Sequence, residues 1–425
     1  MEYGCIGKKL GHSFSRQIHA QLADYDYTLR EIPEEELDAF MRRADFKAIN
    51  VTIPYKQAVI PYLDEISETA RRIGAVNTVV NRGGRLYGYN TDFIGMTALI
   101  RRQGVSLEGK KVLVLGSGGT SKTAAAAAES LGAAQVLRVS RSGRDGAVSY
   151  DTVYREHTDA QALINTTPCG MFPQIGTAAA PLDRFPRLTS VTDAVYNPLR
   201  PALVVQALER GIPAAGGLYM LVAQAAAAAE RFIGRAAAEE EIERIYRGLL
   251  REKRTAVLIG MPGCGKSTLG RRLAERLQLR FFDTDEEIAR QEGLPAAELI
   301  RGRGEAEFRR IETEVIRRLA AEQGAVIATG GGAVLSRENV SLLRENGTLL
   351  WIDRPVEALA VSQDRPLSSS RELLRQRYRE RHALYEAAAD AVISAVPSIE
   401  TNLRALEDAL ERCGEPHSYT GGERI

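Results

Sequence analysis

The chain has 425 residues, of which 44% are hydrophobic and 26% charged, with 56 Lys+Arg set against 55 Asp+Glu. That composition excludes a disordered or fibrous chain, and a net charge of +1 argues against a dedicated nucleic-acid or membrane-surface protein, whose footprint is a basic excess. At roughly 100–200 residues per domain, the length predicts two to four domains. The opening stretch MEYGCIGKKLGHSF lacks the apolar run of a signal peptide, and no segment approaches the ~20 apolar residues of a membrane span. Cys5, Cys169, Cys264 and Cys413 are far apart and match neither a disulfide framework nor a zinc spacing. The expectation is a reduced, cytoplasmic protein without nucleic-acid or membrane partners.

Short β-branched runs alternate with long helical stretches, the pattern of an α/β protein with parallel sheets. Near the start, GHSFS places Ser13 and Ser15 in a loop, where two hydroxyls can serve an anion such as a carboxylate. NVTIPYK sets Asn50, Thr52 and Lys56 around a strand end, GAVNTVV puts Asn77 on an apolar run, and GYNTDFIG contributes Asn90, Thr91 and Asp92. Taken singly, the Asn and Asp residues read as turn formers and Lys56 as a surface cation. A lysine and an aspartate from separate segments can instead form a proton-transfer pair, in which the carboxylate orients the ammonium.

The run Lys111–Leu115 precedes Gly116-Ser117-Gly118-Gly119-Thr120-Ser121 and an Ala-rich helix. This is a weak G-x-G-x-x-G, with Ser121 in the third glycine position, but it has the strand–loop–helix setting of a dinucleotide site. The next strand, QVLRVSRS, ends in Ser140-Arg141-Ser142, where an NAD enzyme carries an acidic residue. An arginine there accommodates a 2′-phosphate, which favours NADP.

Residues 236–253 read as a charged amphipathic helix, and the domain boundary is placed near 252. Just beyond it, Ala256–Ile259 leads into GMPGCGKS, Gly260 to Ser267, which fits G-x-x-x-x-G-K-[ST] between a strand and a helix. The loop's backbone N–H groups wrap a phosphate, Lys266 reaches the β/γ-phosphates and the Ser267 hydroxyl ligates Mg²⁺. Asp283 and Asp285 end the next strand, on the ligand side of a parallel sheet. One suits Mg²⁺ and the other a substrate hydroxyl, with a helix N-cap at Asp285 as the competing reading. Arg309, Gly330-Gly331-Gly332, Arg365-Pro366-Leu367 and Arg381 follow. Arginines suit carboxylate and phosphate recognition, but composition does not choose among them. Residues 414–425 lack apolar periodicity and read as a tail without fixed structure.

Residues 254–412 resemble shikimate kinase, because the phosphate loop, DTD, EFRRIE, GGG, RPL and RxxLY occur in family order. The resemblance implies an ATP site of Gly260, Gly263, Cys264, Gly265, Lys266, Ser267 and Thr268. It implies Mg²⁺ held by Ser267 and, through water, by Asp283. Asp285 is then the candidate base, Arg309 and Arg381 bind the substrate carboxylate, Gly331 and Gly332 line the pocket, and Lys266 and Arg365 approach the transferring phosphate. The lid stretch LAVSQDRPLSSSREL is shorter than usual and lacks a second arginine upstream of RPL.

Residues 1 to about 250 resemble shikimate dehydrogenase, through the motifs above together with INTTPCGM, DAVYNPLRP and GGLYMLVAQ. The resemblance implies Lys56 and Asp92 as the catalytic pair. Ser13, Ser15, Asn77 and Gln224 hold the substrate, with Thr52 and Tyr196 nearby, and Gly116, Gly118, Gly119, Arg141, Thr166 and Met220 line the NADPH site. SRS replaces the family's usual Asn-Arg-Thr, and Arg16 stands where Pro is common. The expectation is a bifunctional fusion that takes 3-dehydroshikimate to shikimate and then to shikimate 3-phosphate. Its fold is a two-lobed dehydrogenase with a Rossmann-like NADP domain, followed by a P-loop α/β kinase domain with a parallel sheet. The substrate lobe is 1–99 completed by 216–250, the NADP lobe 100–215 and the kinase 251–413, and a homodimer is compatible with this reading. Two alternatives stay open: quinate or NAD in the first half, and an ATP-binding regulatory module in the second.

Overall fold

A computed structural model describes residues 1–11, 13–360 and 370–413. The lid arginine Arg365 and the tail 414–425 lie outside the described residues. Three sheets follow one another along the chain.

The first sheet is built from β1 (Tyr3–Gly7), β2 (Tyr27–Glu31), β3 (Ala48–Val51), β4 (Glu65–Ile66), β5 (Thr78–Arg82) and β6 (Arg85–Tyr89), in the order β2-β1-β3-β5-β6-β4. Its helices are α1 (Ser15–Leu22), α2 (Leu37–Arg43), α3 (Glu68–Ile73) and α4 (Thr91–Arg102). This sheet is mixed: β5 runs antiparallel to both β3 and β6, where the alternation of strands and helices had predicted parallel pairing. The reason is local. Gly83 and Gly84, at φ +62° and +91°, supply the two left-handed positions of a tight hairpin turn between β5 and β6. One face of the sheet buries Ile6, Ile49, Val51 and Val79 against Phe40 and Met41.

The second sheet contains β7 (Lys111–Leu115), β8 (Gln135–Ser140), β9 (Val148–Ser149), β10 (Ala162–Asn165), β11 (Ser190–Asp193) and β12 (Ala214–Ala215), with helices α5 (Gly119–Ser130), α6 (Tyr150–Glu156) and α7 (Ala202–Leu208). It is parallel throughout, in the order β12-β11-β10-β7-β8-β9. The strand order reverses at β7 and β10, the crevice where open α/β sheets bind ligands. The chain then returns to the first lobe through α8 (Leu218–Ile233) and α9 (Glu239–Lys253). Ile245, Tyr246, Leu249 and Leu250 of α9 are buried in one core with residues of α1, α4, α5 and α8. Arg102 lies 4.8 and 4.6 Å from the Tyr219 and Tyr246 ring centres and 3.1 Å from Glu243. The helix between the two glycine loops is thus part of the first half's core.

Arg254 alone separates α9 from β13 (Thr255–Ile259). The third part continues with α10 (Lys266–Leu277), β14 (Arg280–Asp283), α11 (Thr284–Glu292), α12 (Ala296–Arg303), α13 (Glu305–Ala320), β15 (Ala325–Ala328), α14 (Arg337–Asn346), β16 (Gly347–Asp353), α15 (Arg371–Ala388), β17 (Ala391–Ser394) and α16 (Ile399–Arg412). Its sheet is parallel, in the order β14-β15-β13-β16-β17. β13 and β15 are buried at every residue, because helices cover both faces. Among the described residues, no helix is long and apolar enough to cross a membrane.

Candidate active sites

The first site forms where the first sheet meets α4 and α8. Lys56 follows β3, and Asp92 sits in the first turn of α4, which Asn90 caps by accepting the Phe93 N–H at 3.0 Å. Lys56 Nζ donates to Asp92 Oδ2 at 2.6 Å, with the two side chains 13% and 10% exposed. Asn77, at the mouth of β5, accepts the Thr91 N–H at 2.7 Å and donates to Thr91 Oγ1 at 3.0 Å and to Gln224 Oε1 at 3.4 Å. Gln224 comes from α8, and Gly95 is what lets α8 approach α4. A Cβ on Gly95 would fall 2.5 Å from the Met220 carbonyl oxygen and 2.9 Å from Gln224 Cβ. Met220, on the same face of α8, is buried.

Ser13 donates to Ser15 at 3.0 Å at the start of α1, and Phe14 between them packs 5.2 Å from Tyr196. Burial pushes the Tyr196 phenol up to about 12, so it stays a neutral donor at ordinary pH. Thr52 sits beside Gly7, where an added methyl would meet its Cγ2 at 2.6 Å. Cys5 is buried near Lys56, Asp92 and Tyr27, and burial pushes its thiol up to about 12. That excludes thiolate chemistry there.

The cofactor loop lies against this pair. Gly116, at φ +127°, leaves no room for a side chain, since its Cβ would fall 2.4 Å from Thr166 Oγ1. Thr166 in turn donates to the Leu115 carbonyl at 2.6 Å. Gly118 caps α5 with no atom within 4 Å of where a Cβ would stand, and a Cβ on Gly119 would lie 3.8 Å from Lys56 Cβ. Arg141 is exposed in the turn after β8. A glycine cradle at a helix N-terminus, with an exposed arginine on the next strand, fits a phosphorylated dinucleotide.

The second site is a phosphate loop. Gly260, Gly263 and Gly265 have φ of +144°, +79° and +103°, so the backbone curls back on itself. Cys264 is buried beneath the loop. Lys266 Nζ donates to the Gly260 and Met261 carbonyls at 2.9 Å each, which holds the ammonium at the loop's centre. Ser267 and Thr268 open α10, and Ser267 Oγ donates to Asp283 Oδ2 at 2.6 Å. Among the described residues, no group of three or more His, Cys, Asp or Glu gathers for a metal. One hydroxyl and one carboxylate beside a phosphate loop nevertheless fit Mg²⁺, which keeps several waters and takes phosphate oxygens. The N-cap of α11 is Asp283, which accepts the Asp285 N–H at 3.0 Å. The competing cap reading of Asp285 is thereby corrected, because the helix starts at Thr284, two residues earlier than a cap at Asp285 requires.

The glycine triplet is the hub of the remaining residues. A Cβ on Gly330 would fall 3.0 Å from Asp285 Oδ1, one on Gly331 2.5 Å from Pro262 Cδ, and one on Gly332 2.3 Å from the Arg309 guanidinium. The Gly331 carbonyl accepts from Arg381 Nη1 at 2.8 Å and from Tyr385 at 2.6 Å. Arg309 pairs with Glu312 at 2.7 Å and with Glu305 at 3.0 Å. Glu312 is 1% exposed, and burial raises its carboxyl above the usual range although Arg309 pulls it down.

Gly95, Glu312 and Tyr385 were not among the residues singled out from the sequence, whereas Thr91 was. Glu312 had a signal, three residues after Arg309 on one helix face. Gly95 had none, since a glycine within a helix shows its packing partner only in the fold.

Known proteins are similar to both parts. Residues 5–79 match the family model of the shikimate dehydrogenase substrate binding domain, and residues 262–410 match that of shikimate kinase. The NADP(+) shikimate dehydrogenase of Clostridium perfringens is 36% identical over 266 residues, which cover 58% of this chain and 97% of that protein. The one from Symbiobacterium thermophilum is 34% identical over 290 residues, covering 61% and 94%. Among solved structures, a chorismate mutase/shikimate 5-dehydrogenase fusion protein from Clostridium acetobutylicum superposes with a TM-score of 0.55 at 34% identity, over 58% of this chain and 96% of that one. Shikimate 5-dehydrogenase from Thermus thermophilus, in complex with NADP(H) and shikimate, gives 0.53 at 28% identity, over 58% and 99%.

Proposed function

Because the chain belongs to the shikimate dehydrogenase family through its N-terminal part and carries a shikimate kinase domain, we propose that its two glycine-loop sites perform consecutive reactions with the residues named above. The chain is a bifunctional enzyme of the shikimate pathway. It reduces 3-dehydroshikimate to shikimate with NADPH and phosphorylates shikimate to shikimate 3-phosphate with ATP.

The observation that carries the reading is the Lys56–Asp92 pair standing against the Gly119 turn. In the first site Gly116, Gly118, Gly119, Thr166 and Met220 would hold NADPH and Arg141 its 2′-phosphate, and the cofactor would supply the hydride for the ketone carbon. Lys56 delivers the proton to the ketone oxygen, and Asp92 orients the ammonium. One hydride on carbon and one proton on oxygen convert ketone to alcohol, so the step balances. Ser13, Ser15, Asn77 and Gln224 grip the carboxylate and hydroxyls, with Thr52 and Tyr196 at the border.

In the second site Asp285 accepts the proton of the 3-hydroxyl as that oxygen attacks the γ-phosphorus. Arg309 and Arg381 fix the carboxylate, and Gly331 and Gly332 admit the ring. Lys266 and the loop N–H groups hold the β- and γ-phosphates, and the resemblance assigns Arg365 to the transferring group. Ser267, with Asp283 through water, would hold Mg²⁺, which neutralises charge on the phosphates. A reduced, cytoplasmic setting is consistent with four free cysteines. A homodimer predicts twice the chain mass in light scattering.

The test is a two-stage assay of the purified chain with 3-dehydroshikimate, NADPH and MgATP. Shikimate 3-phosphate should accumulate only when all three are present. Reduction without phosphorylation would leave the third domain as an ATP-binding regulator.

A further inference from the structure

Two loops of the dehydrogenase part carry site residues at one end and kinase contacts at the other. The loop after β10 begins at Thr166, against Gly116, and runs on to Ile175 and Gly176. Ile175 is 5% exposed and belongs to the hydrophobic core of the kinase domain. Gly176 has φ +84°, and a Cβ there would fall 2.8 Å from both Arg317 Nη1 and Leu342 Cδ2 of the kinase. Beside it is the carboxyl of Glu345, which lies at the end of α14 and is 1% exposed.

The loop after β11 carries Tyr196 and then meets the same kinase segment. The Leu199 N–H donates to Asn346 Oδ1 at 3.0 Å, the Arg200 N–H to the Glu345 carbonyl at 2.8 Å, and Gln323 Nε2 to Asn197 Oδ1 at 3.1 Å. The Phe172 N–H, donating to the Asn197 carbonyl at 2.9 Å, ties the two loops together.

We infer that Glu345 and Ile175 are positioning residues for the dehydrogenase reaction, holding the far end of the Thr166–Gly176 loop so that the kinase domain preorganises the NADP pocket. The physical reason is entropic. A surface loop whose end beyond Phe172 is unfixed has to be ordered there when the dinucleotide binds, and that ordering weakens affinity. Burying Ile175 in a neighbouring core and seating Gly176 against Arg317, Leu342 and the buried Glu345 orders the loop beforehand. The inference rests on the reading of Gly116 and Thr166 as the NADP site.

The experiment is steady-state kinetics of the full chain, both reactions measured on each variant. Glu345→Ala, a substitution in the kinase domain, should raise the KM for NADPH about fivefold, the size of a coupling between contacting residues. The KM for 3-dehydroshikimate and the turnover of shikimate phosphorylation should stay within about twofold of the parent. Glu345→Gln keeps the size of the buried side chain against the loop and should restore the NADPH value. Ile175→Ala should show the same selective rise and Ile175→Val should reverse most of it, so the two sites test the idea independently if one variant fails to fold. An unchanged NADPH KM in a folded Glu345→Ala or Ile175→Ala protein would overturn the inference, as would a parallel rise for both substrates. Parent enzyme that reduces 3-dehydroshikimate equally well when Thr166 is replaced by Ala, and that also ignores Arg141→Ala, would sink the site reading instead.

Discussion

Lys56 Nζ and Asp92 Oδ2 stand 2.6 Å apart although 36 residues separate them in the chain. The pair is nearly dry, and the cofactor loop closes over it at Gly119. A general acid held in this way contributes about 10²–10⁴-fold. Lys56→Ala should therefore lower the dehydrogenase kcat by that range, and Asp92→Asn should do so nearly as far. Phosphorylation of added shikimate should be untouched in both, which a kinase assay on the same preparations checks.

Arg141 is exposed after β8, where the proposed reading sets the 2′-phosphate of NADPH. A charge-assisted hydrogen bond contributes about 1.5–3 kcal/mol. Arg141→Ala should thus raise the KM for NADPH roughly 10- to 100-fold while leaving that for NADH unchanged. Equal loss with both cofactors would remove Arg141 from the site.

Gly332 has no space for a methyl group beside the Arg309 guanidinium. Gly332→Ala should push that arginine off its Glu312 and Glu305 partners and raise the kinase KM for shikimate about tenfold or more, the scale of an ångström-level misplacement. ATP binding, measured by titration calorimetry, should be unaltered, because a Cβ on Gly332 meets Arg309 and not the phosphate loop.

Asp283 joins the Ser267 hydroxyl to the N-cap of α11. Asp283→Asn keeps the capping oxygen and removes the charge, so α11 should persist. The Mg²⁺ concentration for half-maximal kinase activity should rise about 10- to 100-fold, as for other groups that act on a metal through its outer ligands. An unchanged Mg²⁺ profile would take Asp283 out of the metal site.

Glu345 is buried at the junction of the two enzymes, and burial pushes its carboxyl up to about 8, against smaller downward pulls from Gly176 and Arg317. A carboxyl raised in the folded state binds its proton more tightly there than in the unfolded chain. The stability it contributes is present below the ordinary carboxyl range and is lost as pH rises through the folded value. Urea midpoints should fall between about pH 5 and about pH 9 in the parent chain, and fall less in Glu345→Gln. Asp193, raised by burial to about 7, adds the same trend to both proteins and cancels in the comparison. Parallel pH curves would contradict the assignment.

Legibility in the sequence followed the range of the interactions. The phosphate loop was readable because its glycines, lysine and serine are contiguous and a strand and a helix flank them. The strand–loop–helix setting of Gly116 was readable for the same reason. Hairpin pairing of β5 and β6 was missed although Gly83-Gly84 is a local turn signal. The competing cap reading of Asp285 fails because the capping carboxylate is that of Asp283, two residues earlier.

The sequence by itself determined two nucleotide folds in series, the chemistry of each loop, and the set of side chains able to grip a carboxylate or carry a proton. Those features are fixed by residues close together in the chain, where spacing dictates geometry. The tertiary structure alone decided which of those side chains meet. It brings Lys56 to Asp92, Gln224 to Asn77 across the Gly95 contact, and Arg309, Arg381 and Asp285 to the glycine triplet. It also decided that Ile175, from the first half of the chain, belongs to the kinase core. An apolar residue is buried wherever close packing admits it, and no spacing in the chain states which of two adjacent cores that will be.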